Sequence, residues 1–490
     1  MEVSEADQEF LQQRLHAQIQ LIPVDEISYR KWYRKQTIDH RTVATAQFID
    51  PLTGEAEVED ISEITELSLA QTENQIERVK AIVALALRSR ASDIHLEPSA
   101  SGLRVRFRID GILRHVTTFP PEISRRVVVS IKVMSEIDIA ESRRPQDGRM
   151  AEKYMSADQQ SQGLDLRVST LPCISGVQGE MGEKVVMRLL RQQNTFQTIK
   201  DIGFSEYSRP IYQHWLQQLQ GMIILTGPTG SGKTSTLYTS LQEIVSEAVN
   251  FVTVEDPVEY VFPGITQTQV NEAAGMTFAA GLRSILRQDP DIIMLGEIRD
   301  HETAETAVRA ALTGHLVLTT LHTNDAIGAI PRLKDIGPDP GLISDALLGV
   351  VAQRLVRRVC PHCAESYTPT EADLKILGLS WEDAAPQAWR KGRGCNQCFN
   401  SGYLGREALI ELLDVNEPIR QLIYEGSMTQ LQRYLERSQF ESFRTAAIVK
   451  ITQGITTVDE IRRVLPFSAL YPRNAHEPPG LQPLKLTQAS

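Results

Sequence analysis

Long apolar runs are missing from this chain of 490 residues, and none approaches the roughly 18–20 residues a helix needs to span a bilayer. Met1–Gln20 is rich in Glu and Gln, with neither the basic start nor the apolar core of a secretory leader. The expectation is a chain that folds in the cytoplasm and meets a membrane only through a partner. Cysteine is scarce, five in all, which excludes a disulfide scaffold. Basic charge is outnumbered: 51 Lys and Arg against 62 Asp and Glu give a net charge of −11. That sign argues against broad nucleic-acid binding, so no nucleic-acid partner is expected. No internal repeat is visible, which removes the solenoids.

What remains is ordinary for globular protein, 41% hydrophobic and 23% charged, in a length that suggests roughly three or four domains. Residues 1–74 form a variable N-terminal region without strong periodicity, acidic around Gly54–Glu66. Gln75–Arg88 repeats apolar residues at helical spacing. Leu103–Gly111 alternates strictly, with Val105, Phe107 and Ile109 on one face and Arg104, Arg106 and Arg108 on the other. That pattern predicts a half-buried strand ending in an Asp-Gly turn. Further strands are expected at Leu164–Thr170 and Lys184–Leu190, giving an α+β domain over 75–200. From Gly221 short apolar strands (Met222–Thr226, Phe251–Val254, Ile292–Leu295, Leu316–Thr320) alternate with helices, Ser235–Val245 first, which implies a parallel α/β domain over 201–355. A cysteine-bearing subdomain over 356–412, a helical region over 413–465 and a disordered tail over 466–490 complete the expected order.

Gly227-Pro228-Thr229-Gly230-Ser231-Gly232-Lys233-Thr234 fits the phosphate-loop pattern between an expected strand and helix. Its glycines let backbone N–H groups approach phosphates, Lys233 reaches the β- and γ-phosphates, and Thr234 offers a hydroxyl to Mg²⁺. Asp289–Glu297 reads as an apolar strand ending in a carboxylate, suited to a Walker B role beside Mg²⁺, although Gly296-Glu297 stands where an Asp is usual. Val252–Glu259 is a second strand running into carboxylates. Glu259 lies past Asp256-Pro257 at the carboxyl edge, where ligands bind in parallel sheets, as a candidate to polarise water or as part of a surface turn. His322 closes a strand at that edge as a γ-phosphate sensor or a structural histidine, while His315 opens the same strand and reads as structural. Cys360-Pro361-His362-Cys363 and Cys395-Asn396-Gln397-Cys398, 31 residues apart, suit tetrahedral Zn²⁺, with a redox dithiol or unmetallated thiols as the alternatives. Cys173 reads as a small core residue.

Thr226–Thr234, Val254–Glu259, Gly281–Asp300 and Thr313–Asn324 resemble the Walker A, Asp box, Walker B and His box of the ATPases of type II secretion and type IV pilus assembly. Ser92–Pro98, Arg106–Gly111 and Arg144–Arg149 resemble that family's preceding domain, and the likeness runs from about Gln75 to Leu465. It implies a RecA-like P-loop ATPase domain preceded by a PAS-like α+β domain, with ATP between them, in a hexamer that hydrolyses ATP to drive secretion or pilus assembly. It implies Glu259 as the water-activating residue and Glu297 as the Walker B glutamate. It also implies a GspF/PilC-like platform protein of the inner membrane, and a membrane anchor protein, as partners at the cytoplasmic face. The tetracysteine module marks GspE- and PilB-like members and is missing from PilT-like retraction motors, which favours export or extension. Residues 1–70 show no clear match to the family's docking module. Rival readings are a VirB11-like conjugative ATPase, a nucleotide-binding scaffold with little hydrolysis and a DNA-processing RecA-fold protein.

Arginine placement raises a further expectation. Arg283 and Arg287 lie four apart on an expected helix Phe278–Gln288, opposite Leu282, Ile285 and Leu286. These two, with Arg106 and Arg108 on the strand, are either solvated basic faces or arginines that meet a triphosphate across a domain or subunit boundary.

Overall fold

The computed structural model describes residues 74–150, 164–175, 180–191, 198–384 and 388–470. The expectations for the N-terminal region up to residue 73 and for the tail beyond 470 lie outside the described residues. The chain forms two compact units. The first holds the described residues up to 150 together with Leu166–Leu189, and the second holds Leu190 onward.

In the first unit, α1 (Gln75–Arg88) starts at Asn74, whose side chain accepts from the Ile76 N–H, and α2 spans Pro121–Met134. The six-stranded sheet runs in the order β3-β2-β1-β6-β5-β4, from β1 (Ala91–Ser99), β2 (Gly102–Ile109), β3 (Ile112–Phe119), β4 (Gln146–Arg149), β5 (Leu164–Ser175) and β6 (Glu180–Arg191). The alternation read from the sequence is realised on β2, where Val105, Phe107 and Ile109 are buried. Cys173 departs from expectation. It is half-buried, not core, because β4 pairs with β5 only as far as Thr170, and beyond that point Leu171 and Ile174 are exposed.

The second unit is built on a seven-stranded sheet, order β15-β12-β7-β11-β10-β8-β9. Its strands are β7 (Gly221–Thr226), β8 (Phe251–Glu255), β9 (Thr266–Gln269), β10 (Ile292–Leu295), β11 (Leu316–Leu321), β12 (Leu347–Val359) and β15 (Tyr403–Asp414). From β12 to β9 every pairing is parallel, and β15 closes the other edge antiparallel to β12. Successive residues of β7 feed opposite cores: Met222 and Ile224 pack into one, Ile223 and Leu225 into the other. Burial on both faces is why these strands read as continuous apolar runs.

The longer helices of this unit are α3 (Ser208–Leu216), α4 (Lys233–Ile244), α5 (Phe278–Ile285), α6 (His301–Leu312), α7 (Ala329–Ile336), α8 (Pro340–Ala346), α9 (Glu371–Leu377), α10 (Glu417–Tyr424), α11 (Met428–Arg437), α12 (Phe443–Thr452) and α13 (Val458–Val464). Helix α5 ends three residues sooner than its apolar spacing suggests. Asp289 adopts a left-handed φ of 50° ahead of Pro290, which removes the α conformation, and Arg287 falls beyond the last turn. Within the span 356–412, the short strands β13 (Ala364–Ser366) and β14 (Arg390–Gly392) pair with each other beside the cysteines, whereas β15 belongs to the main sheet. Residues expected to begin the tail, Phe467–Leu470, form one helical turn with Leu470 buried. Among the described residues, no helix is long and apolar enough to cross a membrane.

Candidate nucleotide site and cysteine cluster

Strand β7 delivers the loop Gly227–Gly232 to the carboxyl edge of the sheet, and α4 starts from it at Lys233. The loop needs its glycines. Gly227 has a φ of +147° and Gly232 of +90°, and a Cβ would stand 2.5 Å from the Gln353 carbonyl oxygen at the first and 2.8 Å from Gln353 Nε2 at the second. The Lys233 ammonium donates to the carbonyls of Gly227, at 2.7 Å, and Pro228, at 3.2 Å. Burial pushes its pKa down to about 8, with the Glu297 charge opposing that shift and Arg354 adding to it. Thr234 is exposed at the start of the helix.

Strand β10, the expected Walker B strand, ends at Leu295, and Glu297 follows. Its carboxylate is mostly buried, paired to Arg299 and 3.2 Å from His322 Nε2. His322 is itself about half exposed, just past the end of β11. The structure therefore brings Lys233, Glu297 and His322 to one edge. His315 sits at the start of β11, its Nδ1 2.9 Å from the Ala310 carbonyl oxygen, in keeping with a structural role.

The carboxylates after β8 divide their work. Glu255 is buried and fully engaged, taking hydrogen bonds from Tyr238, from Thr253 Oγ1 at 2.7 Å and from Gln267 Nε2 at 3.0 Å. Asp256 lies 3.8 Å from Arg299. Glu259 is half-buried on the loop, its N–H donating to the Tyr238 hydroxyl at 3.2 Å, which ties this loop to the helix that follows the phosphate loop.

The candidate arginines are held within their own units. Arg283 pairs with Glu302, and Arg287 donates back to the Arg283 carbonyl at 2.8 Å. On the first unit, Glu97 of β1 gathers Arg106 at 2.7 Å, Arg104 at 3.0 Å and Lys184 at 3.0 Å. Burial alone would raise the Glu97 carboxyl, but these cations outweigh it and hold the group at about 2. Asp93 likewise gathers Arg188 at 3.1 Å and Arg108 at 3.4 Å. The alternation of β2 placed three arginines on one face; the sequence reading did not see that β1 supplies carboxylates beside them.

The four cysteine sulfurs converge. All lie within 4.8 Å of one another, with Cys360–Cys395 and Cys363–Cys398 at 3.8 Å and Cys395–Cys398 at 3.7 Å. Backbone N–H groups point at them: Gly394 at Cys363, and both Cys395 and Gly402 at Cys398. Burial pushes the Cys360 thiol up to about 12 and raises Cys363 despite the Gly394 N–H, whereas at Cys398 donation from Cys395 and Gly402 prevails over burial and draws the thiol down to about 6. The donors at Cys398 thus favour its thiolate, the form that binds metal.

Sequence comparison agrees with this architecture. The chain matches the family described as "Type II/IV secretion system protein" over residues 69–463. It belongs to that family. It is 45% identical to "Type II secretion system protein E" of Pseudomonas aeruginosa, over 87% of this chain and 83% of that protein. It is 43% identical to "Type IV pilus assembly ATPase PilB" of Thermus thermophilus, over 85% of this chain and 47% of that longer protein. Among solved structures, the pilus retraction motor PilT with bound ADP is similar at a TM-score of 0.53 and 28% identity, covering 79% of this chain and 96% of that one. The Legionella pneumophila ATPase DotB shares the fold at a TM-score of 0.58 and 21% identity, covering 79% of this chain and 94% of that one.

One functional neighbour escaped the sequence reading. Gln353 on β12 is buried, donates from Nε2 to the Ser231 carbonyl at 2.9 Å and accepts from Thr236 Oγ1 at 2.8 Å. It braces the phosphate loop and the first turn of α4 from the next strand. A polar pair, Gln353-Arg354, inside the apolar run of Leu347–Val359 was the available signal. Replacing Gln353 with Leu leaves two buried polar groups without partners and is expected to cost about 1–3 kcal/mol for each, read by urea denaturation. An unchanged midpoint would show that the brace carries no load.

Proposed function

We propose that this chain hydrolyses ATP to power type II protein secretion or type IV pilus assembly. The observation that carries the reading is the meeting of the phosphate loop with the Glu297–His322 pair at one carboxyl edge of a parallel sheet, in a chain of the type II/IV secretion family. Gly227, Pro228, Thr229, Gly230, Ser231 and Gly232 wrap the phosphates, with the helix N-terminus behind them and the Lys233 charge neutralising the β- and γ-oxygens. The hydroxyl of Thr234 and the carboxylate of Glu297 are hard oxygen donors suited to Mg²⁺, which when bound would neutralise charge building on the phosphates. Glu259 takes the proton from the attacking water. His322, already against Glu297, reports the γ-phosphate to that carboxylate.

The finer reading is a homo-hexamer at the cytoplasmic face of the inner membrane, acting on a platform protein that assembles pilin-like subunits. Arg106, Arg108, Arg283 and Arg287 are the proposed donors to a neighbouring subunit's nucleotide. Arg106, Arg108 and Arg283 each pair with a carboxylate and Arg287 donates to the Arg283 carbonyl, so such a role requires a change of partner. The cysteine cluster supports Zn²⁺: four Zn–S bonds of about 2.3 Å in a tetrahedron put sulfurs about 3.8 Å apart, close to the spacings found. With the resemblance to export and extension motors, that module favours assembly over retraction.

Three outcomes test this. Glu259→Gln is expected to bind ATP normally while turnover falls roughly 10²–10⁴-fold, since an amide takes no proton; wild-type turnover in that variant would remove Glu259 from its role. Protein purified without chelators is expected to carry about one zinc per chain, lost when Cys360 and Cys395 become Ser; elemental analysis finding no zinc would refute the metal. Mixing inactive Arg108→Ala subunits with inactive Glu259→Gln subunits is expected to restore part of the activity, because a mixed ring contains complete sites. Activity per chain that stays constant down to a demonstrated monomer would exclude arginines supplied in trans.

A further inference from the structure

Strand β12 places Gln353 and Arg354 in succession, so their side chains leave opposite faces of the sheet. Gln353 grips the phosphate loop. Arg354 goes to the other face and is also buried, at 7% exposure. Its Nη2 donates to the Asn324 carbonyl at 2.8 Å, two residues after His322. Its guanidinium lies over the Phe443 ring, 5.6 Å from the centroid, and its Nη1 has no hydrogen-bond partner among the described residues.

A second buried ionisable group, a carboxyl that burial pushes up to about 7, stands on the same face. Ala352 pairs with Glu411 and Arg354 with Leu409 across the antiparallel β12–β15 ladder, so Arg354 and Glu411 share that face. Glu411 takes the Ala326 N–H at 2.8 Å with one oxygen and the Phe443 N–H at 3.0 Å with the other. Phe443 is the first residue of α12. The loop after β11 therefore has three ties within four residues. Thr323 holds Thr226 of β7 at 2.7 Å, Asn324 meets Arg354, and Ala326 meets Glu411.

Two ionisable side chains buried in an apolar layer are expensive to keep there for packing alone, and one of them retains an unmet donor. Both bind the backbone of one loop, the one that carries His322, and Glu411 binds that of Phe443 as well. We propose that Arg354 and Glu411 are positioning residues that set His322 against Glu297, and that they tie this loop to the first turn of α12, so that a shift of the C-terminal helices changes the rate of hydrolysis without changing the grip on nucleotide. The proposal rests on the ATPase reading above and assigns two residues outside its motifs.

The test is a kinetic double-mutant cycle. Arg354→Gln and His322→Ala are made singly and together in the full chain, and kcat is measured beside the affinity for a fluorescent ADP analogue. The expected result is a kcat lowered at least tenfold by Arg354→Gln, with affinity within about threefold of wild type. In the His322→Ala background the same change is expected to cost less than twofold, because the residue it positions is already gone. If Arg354→Gln does not fold, Arg354→Lys, which keeps the charge but not the fork, runs through the same cycle. Glu411→Gln, which sets an amide donor against one of the two N–H groups, is expected to follow the same split. An equal loss from the arginine change in both backgrounds, or a loss of affinity parallel to kcat, overturns the proposal. A wild-type chain that binds the analogue yet turns over no ATP instead refutes the ATPase reading on which the proposal stands.

Discussion

Strands buried on both faces leave little room for charged side chains along their length, so charged chemistry collects where they end. The parallel strands β7, β8, β10 and β11 end at a shared edge, and each supplies one element there: the phosphate loop, the Glu259 loop, Glu297 and His322. The remainder of the second unit serves that constraint. Cores on both faces keep the strands in register, and Thr320 Oγ1 donates to the Gly296 carbonyl at 2.8 Å, fastening β11 to the turn before Glu297.

The longer polar side chains within the sheet are informative. Gln353, Arg354 and Glu411 place polar groups within the sheet, each engaged by a loop of the nucleotide edge, in two cases the one that carries His322. Buried hydrogen-bonded groups fix geometry more than they add stability, because an unmet partner is so costly. A site that must hold a carboxylate, a histidine and a lysine in fixed relation gains from such braces.

Much of this was legible in the sequence. Short apolar runs between glycine-rich and carboxylate-rich turns announced the parallel strands nearly to the residue, Ile292–Leu295 among them. The phosphate loop and the cysteine pairs could be read because each is a local spacing. What escaped was non-local or terminal. The end of α5 turned on the backbone of Asp289, and the partners of the β2 arginines came from β1, whose carboxylates are shared with cations of β6. Nothing in a linear string pairs Ala352 with Glu411, and only that register puts Arg354 and Glu411 on one face.

The central claim is that this edge hydrolyses ATP. Steady-state phosphate release from the purified chain with ATP and Mg²⁺, beside the Lys233→Ala variant, tests it most directly. Steady turnover by the wild type that disappears when Lys233 is removed is the predicted result. No turnover by the assembled wild-type chain, or equal turnover by both proteins, would contradict it.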